Sequence, residues 1–174
     1  MTSSDRSELE EILYPKGTNF DEGNLLSILL EEYKLFVETS EKLVARRQTV
    51  NAFFLPMNAA LISAVGVIMG QAASKIDVAL SGVIGIGLAG ILLCISWRRL
   101  VNSHRQLNTG KFVLIENMEK YLPAALFKAE WHALGKGQDN KKYMPFTRTE
   151  SVLPFVFILL YAVAAIVSLV YLIN

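Results

Sequence analysis

The sequence predicts an all-α integral membrane protein with three transmembrane helices, two of which extend into a cytoplasmic helical region. Three apolar segments carry this prediction, and none of them contains Lys, Arg, Asp or Glu. Each is about 20 residues long, which at ~1.5 Å of rise per residue matches the ~30 Å hydrocarbon core of a bilayer. The segments are Val50–Ala73, Val78–Trp97 and Leu153–Ile173.

These segments divide the chain into membrane spans and flanking regions. A polar lead-in precedes a cytoplasmic helix that is continuous with the first span, and an external hairpin loop joins the first two spans. The predicted boundaries are 1–20 for the lead-in, 21–49 for the first cytoplasmic helix, 50–73 for the first span, 74–77 for the loop, 78–97 for the second span, 98–149 for the second cytoplasmic segment and 150–174 for the third span.

Basic residues predict the orientation of the spans. Lys75 is the only basic residue in the loop between the first two spans, whereas the flanks on the other side of the membrane are rich in Lys and Arg. The positive-inside rule therefore places the N-terminus in the cytoplasm and Asn174 outside. No cleavable signal peptide is expected, because the first 49 residues are polar and acidic. The basic residues on the inner side are Lys42, Arg46, Arg47, Arg98, Arg99, Arg105, Lys111, Lys136, Lys141, Lys142 and Arg148.

The helix before the first span carries an apolar stripe. No Pro or Gly interrupts the sequence from Asn24 to Leu55, and apolar residues recur at alternating spacings of three and four. The stripe needs a partner: another helix of this chain, a neighbouring subunit or the membrane surface. The glutamates of this helix would repel anionic lipids, which favours the first two. Leu29, Tyr33 and Phe36 are therefore candidate residues of an oligomer or partner interface.

The second span is predicted to continue inward as a helix of about six turns with the same spacing. Pro123 ends that helix, and a short helix over Ala124–Leu134 follows, stopped by Gly135 and Gly137. A polar loop over Gly135–Phe146 leads to a capping box of Thr147 and Glu150 before the third span. The candidate interface residues in this segment are Leu107, Leu114 and Trp131.

Four polar residues interrupt the two stripes: Ser40 and Arg47 in the first, His104 and Lys111 in the second. Polar residues at core positions of helical bundles set register and oligomeric state. Alternatively, these side chains snorkel at the rim of the bundle, and the sequence does not decide between the two interpretations.

The second span contains the pattern G-x-G-x-x-G at Gly85, Gly87 and Gly90. As a dinucleotide fingerprint it would need a preceding strand and an acidic residue about 20 positions further on, so we expect no cofactor. Small residues instead let membrane helices approach closely, and the first two spans should pack tightly against each other or between subunits. The predicted helix-packing residues are Gly66, Gly70, Ser81, Gly85 and Ala89.

Polar residues and a proline mark the first span. Pro56 frees a backbone carbonyl, and an amide such as that of Asn58 should face protein or water rather than lipid. Pro56, Asn58 and Ser63 are therefore candidates for lining a pore or for a kink with an interhelical hydrogen bond.

The sequence offers no recognisable reaction chemistry. Cys94 is the only cysteine, and His104 and His132 lack metal-ligand spacing to other donors. We therefore expect no catalytic, cofactor or metal site, and an enzyme that uses Glu130 and His132 is the weakest hypothesis. Nucleic-acid binding is not expected, because the basic residues follow the membrane boundary rather than forming a patch.

Residues of the second cytoplasmic segment resemble the RipA family of octameric bacterial membrane proteins, over about residues 25–173. The resemblance implies a small protein of the bacterial cytoplasmic (inner) membrane that assembles into a ring-like homo-oligomer without established enzymatic activity. Small membrane effectors of bacterial defence systems are also similar. The residues that carry the resemblance are Trp97-Arg-Arg-Leu100, Leu107-Asn-Thr-Gly-Lys-Phe112, Ile115-Glu-Asn-Met-Glu119, Leu122-Pro123, Phe127, Glu130-Trp131, Tyr143, Thr149-Glu150 and Pro154.

Two functions follow as hypotheses. The first is a non-enzymatic homo-oligomer, octameric by the resemblance, that forms a pore or a membrane scaffold with the lipid bilayer as its surroundings. The alternative is a membrane-anchored adaptor, regulator or defence-system effector that binds a cytoplasmic protein partner through residues 98–149.

Overall fold

In the computed structural model the chain is described over residues 3–14, 22–72, 75–138 and 146–173, and every regular element in these ranges is helical. Two of the elements are single-turn 3₁₀ helices, at Glu119–Tyr121 and Gly135–Gly137. The α-helices are α1 (Ser3–Leu13), α2 (Glu22–Gly70), α3 (Ile76–Met118), α4 (Leu126–Ala133) and α5 (Phe146–Ile173).

Three of these helices, α2, α3 and α5, are long and apolar enough to cross a membrane. The chain is therefore an all-α integral membrane protein, as the sequence predicts. Helix α2 runs for 49 residues and continues through Pro56, and α3 runs for 43 residues. The prediction that the first two spans continue as long helices beyond their apolar segments is confirmed.

Helix α3 is the centre of the fold, because both α2 and α5 pack against it. Its buried residues recur at spacings of three and four, which keeps them on one side of the helix. Around Trp97, the ring of Phe54 from α2 stacks at a centroid distance of 5.7 Å, and Phe157 from α5 packs against the same cluster. The buried residues in this seam include Val83, Gly87, Gly90, Cys94, Trp97 and Val101.

The end of α3 follows the predicted break at Pro123. The helix gives way to the 3₁₀ turn at Glu119–Tyr121, and α4 begins at Leu126. Gly135 and Gly137 then adopt φ angles of 70° and 69°, a conformation that glycine reaches without steric cost. The predicted short helix and its glycine stop are thus confirmed.

Two local features differ from the sequence analysis. The predicted polar lead-in contains α1, although its turn residues Pro15, Gly17 and Asn19 lie outside the described residues, as do 139–145 of the predicted polar loop. Helix α5 begins at Phe146, one residue before the predicted N-cap. The carboxylate of Glu150, predicted to reach back along α5, lies near Arg47 of α2 instead.

Candidate functional site

A buried polar cluster joins the three long helices within the predicted membrane region. Asn58 of α2 is fully buried, and its Nδ2 donates to the carbonyl oxygen of Phe54 at 2.8 Å. Its Oδ1 accepts hydrogen bonds from Cys94 Sγ of α3 and from Tyr161 Oη of α5, both at 3.1 Å. One amide side chain therefore forms hydrogen bonds with polar groups of all three helices. In the apolar core of a membrane, water cannot supply these bonds, and a polar group without a partner is costly.

Two glycines of α3 create the space for Tyr161. A Cβ atom built at Gly90 would lie 2.5 Å from the tyrosine ring, and one at Gly87 would lie 3.3 Å from Ala165 Cβ and from the Tyr161 carbonyl oxygen. Real Cβ atoms do not approach a ring so closely. The G-x-G-x-x-G pattern thus serves helix packing, with Gly87 and Gly90 against α5.

The residues that the sequence predicts to pack the helices are not the ones that meet α5. Gly66, Gly70 and Gly85 have no atom within 4 Å of a built Cβ, and Ser81 and Ala89 are exposed. Among the described residues no neighbouring helix therefore approaches the three glycines closely, which leaves the predicted contact between subunits as the alternative for them.

The three candidates for lining a pore or for a kink differ in burial: Asn58 is buried, whereas Pro56 and Ser63 are exposed. Asn58 lies in the protein core, where it forms the interhelical hydrogen bonds of the second interpretation and reaches no open surface. Pro56 is exposed, and Ser63 is exposed with its hydroxyl donating to the Ala59 carbonyl oxygen at 2.9 Å. Of the three, only Pro56 and Ser63 remain accessible from outside the chain.

A second group of polar contacts lies between the N-terminal half of α2 and the C-terminal half of α3. Asn51 accepts a hydrogen bond from Trp97 Nε1 at 2.9 Å, and Ser40, itself buried, donates to Asn108 at 3.2 Å. Lys111 Nζ donates to Thr39 at 2.6 Å and lies 4.4 Å from the centre of the Phe36 ring. Ser40 and Lys111 therefore hold the two stripes in register.

Arg47 connects α2 with α5 at the predicted membrane boundary. Its Nε lies 3.2 Å from Glu150 Oε2, and both side chains are only 13% exposed. The two atoms form an ion pair without the geometry of a hydrogen bond. Helix α5 is thereby tied to α2 as well as to α3. His104, the fourth polar residue of the stripes, is partly exposed.

The second buried site is a carboxylate at the junction of α2, α3 and α4. Glu119 is 2% exposed, and its Oε1 accepts hydrogen bonds from the Tyr33 hydroxyl at 3.1 Å and from the Phe127 amide at 2.7 Å. Its Oε2 accepts from the Lys128 amide at 3.1 Å. These amides belong to the first turn of α4, where backbone donors have no partner within the helix. Glu119 therefore caps α4 and anchors it to α2.

The N-terminal helix docks beside this junction. Glu10 forms an ion pair with Lys120, and the ring of Tyr14 lies 4.6 Å from that of Tyr121. Burial raises the pKa of Tyr14, and Tyr121, Glu10 and Glu32 add to the effect. These contacts hold α1 against the turn that follows α3.

The predicted interface residues fall into two groups. Phe36 faces α3 of the same chain through Lys111, and Tyr33 faces the 3₁₀ turn after α3 through Glu119. Leu29 and Leu114 are half-buried. Leu107 and Trp131 are 54% and 43% exposed, which leaves them available to another protein.

Three residues of these sites escaped the sequence analysis. For Tyr161 the available signal is a hydroxyl group in the middle of an apolar span, because a buried tyrosine hydroxyl needs a hydrogen-bond partner. Gly90 belongs to the G-x-G-x-x-G pattern, but the pattern does not indicate its contact with Tyr161. Glu119 had no local signal beyond an acidic side chain near the end of a helix. Across the described ranges, no group of three His, Cys, Asp or Glu side chains could hold a metal ion.

Comparison with protein-family models gives a match over most of the chain. The model of the octameric membrane protein family (8xMP) matches residues 30–170, which cover all of α3 and α4 and most of α2 and α5. No curated protein and no solved structure matches the chain.

Proposed function

Since the chain belongs to the octameric membrane protein family, and is on that ground a homo-oligomeric membrane protein, we propose that it forms a ring of eight subunits that acts as a non-enzymatic scaffold. We assign it to the RipA branch of such proteins and to the bacterial cytoplasmic membrane, with the N-terminus inside and the C-terminus outside. The basic residues that flank the spans support this orientation.

One observation carries the choice of a scaffold over a polar pore. The amide of Asn58, the thiol of Cys94 and the hydroxyl of Tyr161 satisfy one another inside each subunit. The apolar segments carry no charged residue, and the surface that they turn outward is formed mostly by small and aliphatic side chains. Such a surface suits helix packing and lipid contact, whereas aqueous pores are lined by polar or charged groups.

Reconstituted protein tests this proposal. Native mass spectrometry of the solubilised protein should give a single species of eight subunits, and liposomes that contain it should release no more ion or dye than protein-free liposomes. Flux that changes in a Ser63→Leu variant would identify a pore lined by the first span. A monomer in both detergent and nanodiscs would refute the ring.

A second candidate function is the anchoring of a cytoplasmic protein partner, as an adaptor, regulator or defence-system effector. The exposure of Leu126 (66%) and Trp131 (43%) in the predicted cytoplasmic segment favours it. In pull-downs with the full chain in nanodiscs, a specific partner should bind the wild type and be lost from Trp131→Ala, while Trp131→Phe retains it. Binding that is equal in all three proteins would argue against this surface.

The proposal that the protein is non-enzymatic has its own test. Glu130 and His132 lie on α4 and are both exposed. A Glu130→Ala/His132→Ala variant should therefore assemble and function as the wild type does in cells. Loss of the cellular phenotype with the oligomer intact would reopen an enzymatic role.

A further inference from the structure

A row of polar side chains on α3 begins where the predicted second span ends. Arg98, Asn102, Arg105 and Thr109 follow one another at spacings of four, three and four residues, which places them on one face of the helix. Asn102 is half-buried, and the other three are exposed. Asn102, Arg105 and Thr109, together with Gln106, line a cavity of about 430 Å³, a volume within the range of ligand sites. We refer to the four residues of this face as the polar row.

The polar row carries positive charge that no acidic side chain balances in the described residues. Arg98 and Arg105 form no ion pair there. Along α3, the acidic residue nearest to Arg105 is Glu116, about 16 Å away. Glu150, near the start of α5, is paired with Arg47 of α2 instead. The row is therefore suited to bind an anion.

Helix α5 holds Arg98 at the membrane end of the row. The central carbon of its guanidinium group lies 4.3 Å from the centre of the Phe155 ring, which is a cation–π contact. Such a contact restrains the guanidinium group without neutralising its charge. Phe155 is itself 46% exposed, so the contact lies at the surface of the subunit. An anion at the border between α3 and α5 would therefore meet an arginine that is already positioned.

On the membrane side of Arg98, the border between α3 and α5 is apolar. Ile95 and Ile91 precede Arg98 by three and seven residues and so lie on the same face of α3. Ile95 is exposed and Ile91 is half-buried. On α5, Leu159 lies one turn after Phe155 and is 65% exposed. A ligand held by the polar row could therefore extend a hydrocarbon chain along this border.

The height of the polar row matches the headgroup layer of a bilayer. Arg98 is the first residue after the predicted second span, and Asn102 and Arg105 lie about 6 Å and 10 Å further along the helix. The headgroup layer extends about 5–8 Å beyond the hydrocarbon core on each side. Arg98 and Asn102 fall within this layer, and the long side chain of Arg105 can reach back to it. These positions favour a membrane lipid over a soluble anion.

We propose that Arg98, Asn102 and Arg105 bind the phosphate group of an anionic phospholipid, with one acyl chain along the apolar border of α3 and α5. Guanidinium groups donate paired hydrogen bonds to phosphate oxygens, and the amide of Asn102 adds a further donor. Basic pockets between transmembrane helices bind anionic headgroups in this way. The site lies within one subunit, so it goes beyond the proposed scaffold and does not depend on the number of subunits.

Native mass spectrometry of the delipidated full-length protein tests the site. We expect one phosphatidylglycerol to bind per subunit, at least about fivefold more tightly than zwitterionic phosphatidylethanolamine. Arg98→Gln and Arg105→Gln should each weaken phosphatidylglycerol binding by about fivefold, the contribution of one basic residue near an anionic membrane surface. Arg99→Gln is the matched control, because Arg99 is exposed at the same boundary but on another side of α3. It should bind the lipid as the wild type does.

Inorganic phosphate distinguishes the two sources of the phosphate group. At constant ionic strength, an excess of it should leave phosphatidylglycerol bound. Displacement by phosphate in the wild type would reveal a site for a soluble anion and overturn the lipid assignment. Equal affinity for the two lipids, or equal weakening by Arg98→Gln, Arg105→Gln and Arg99→Gln, would show only general attraction to boundary charge and refute the site.

The Arg105 variant keeps the test valid if Arg98→Gln fails to fold. Arg105 is exposed and forms no ion pair among the described residues, so its substitution should leave the oligomer mass and unfolding in SDS unchanged. Arg105→Gln with wild-type affinity for phosphatidylglycerol would refute the proposed role of the polar row.

Discussion

Asn58 is the residue at which the three long helices are joined, and its side chain does so by accepting two hydrogen bonds from other helices. Cys94 and Tyr161 lie 36 and 103 residues away in sequence, yet both reach the same oxygen at 3.1 Å. In an apolar surrounding, a polar group without a partner is costly. The amide therefore both satisfies these groups and selects one arrangement of the helices.

Removal of the tyrosine hydroxyl should measure this link. We expect Tyr161→Phe and Asn58→Ala to lower the free energy of unfolding. The coupling energy between them should be about 0.6 kcal/mol, the average for hydrogen bonds between membrane helices, and at most about 1.7 kcal/mol. Unfolding by SDS in mixed micelles gives the four values of the double-mutant cycle. Ser63→Ala is the control, because that hydroxyl bonds only its own helix. Additive effects of the two variants would show that the bond to the Asn58 side chain contributes nothing beyond what the Asn58 carbonyl oxygen, 3.2 Å from the same hydroxyl, supplies.

Gly90 and Gly85 provide a matched pair of substitutions on one helix. A methyl group at Gly90 would meet the ring of Tyr161 at 2.5 Å, whereas one at Gly85 would meet nothing within 4 Å in the chain. We expect Gly90→Ala to destabilise the subunit by about 1–3 kcal/mol, the usual cost of overpacking. Gly85→Ala should leave the subunit stable and weaken only assembly. SDS unfolding and native mass spectrometry separate the two effects, and equal stability of both variants would contradict the packing of α5.

Among the elements, α4 depends most on a residue outside itself. It has eight residues, and isolated helices of this length are marginal in water. Its N-cap residue, Ala125, has no side chain that can accept a hydrogen bond, but the carboxylate of Glu119 accepts hydrogen bonds from two of the first amides of α4. The same carboxylate binds Tyr33 of α2, so the position of α4 is coupled to that of α2.

Substitution of Glu119 should therefore release α4. We expect Glu119→Ala to accelerate amide hydrogen exchange in residues 122–134, since a charge-assisted bond contributes about 1.5–3 kcal/mol. Glu119→Gln should have an intermediate effect, because an amide oxygen still accepts but carries no charge. Glu116→Ala is the control, as Glu116 is exposed. Hydrogen exchange followed by mass spectrometry provides the measurement, and unchanged rates in Glu119→Ala would refute the cap.

The elements show which parts of this protein are predictable from sequence. The spans, the continuity of α2 and the break at Pro123 follow from local hydropathy, spacing and proline chemistry, and all are present in the structure. The side of α3 that packs against α5 was not predictable, because small residues lie on more than one side of this helix. Gly87 and Gly90 meet α5 while Gly85 faces outward, and a single sequence contains no information on that rotation.

The site residues were unpredictable for a related reason. Glu119 binds a tyrosine 86 residues away, and Asn58 binds one 103 residues away. Sequence patterns report spacing within one helix but not which helices become neighbours. Asn58 was recognisable as a polar residue that needs a partner, whereas the identity of that partner required the fold.

At the scale of the whole molecule, the three long helices present different surfaces. The exposed residues of α5 are large and aliphatic, including Leu159, Val163 and Ile166. The exposed side of α2 instead includes small residues within its apolar segment, among them Ala52, Ala59 and Ser63. In the proposed ring this side of α2 would pack against a neighbouring subunit and α5 would lie at the perimeter, where lipid accepts large aliphatic side chains of any shape.

Tryptophan substitutions should distinguish these surfaces. Val163→Trp on α5 adds a large side chain to a surface in contact with lipid, so we expect the oligomer to remain at its wild-type mass. Ala89 is one of the predicted helix-packing residues and is exposed in the chain, so Ala89→Trp should obstruct a neighbouring subunit and shift the protein to smaller species. Both positions are exposed within one chain, so neither variant should disturb the fold of the subunit. Native mass spectrometry reports the mass, and dissociation by Val163→Trp with an intact Ala89→Trp oligomer would reverse the assignment of the two faces.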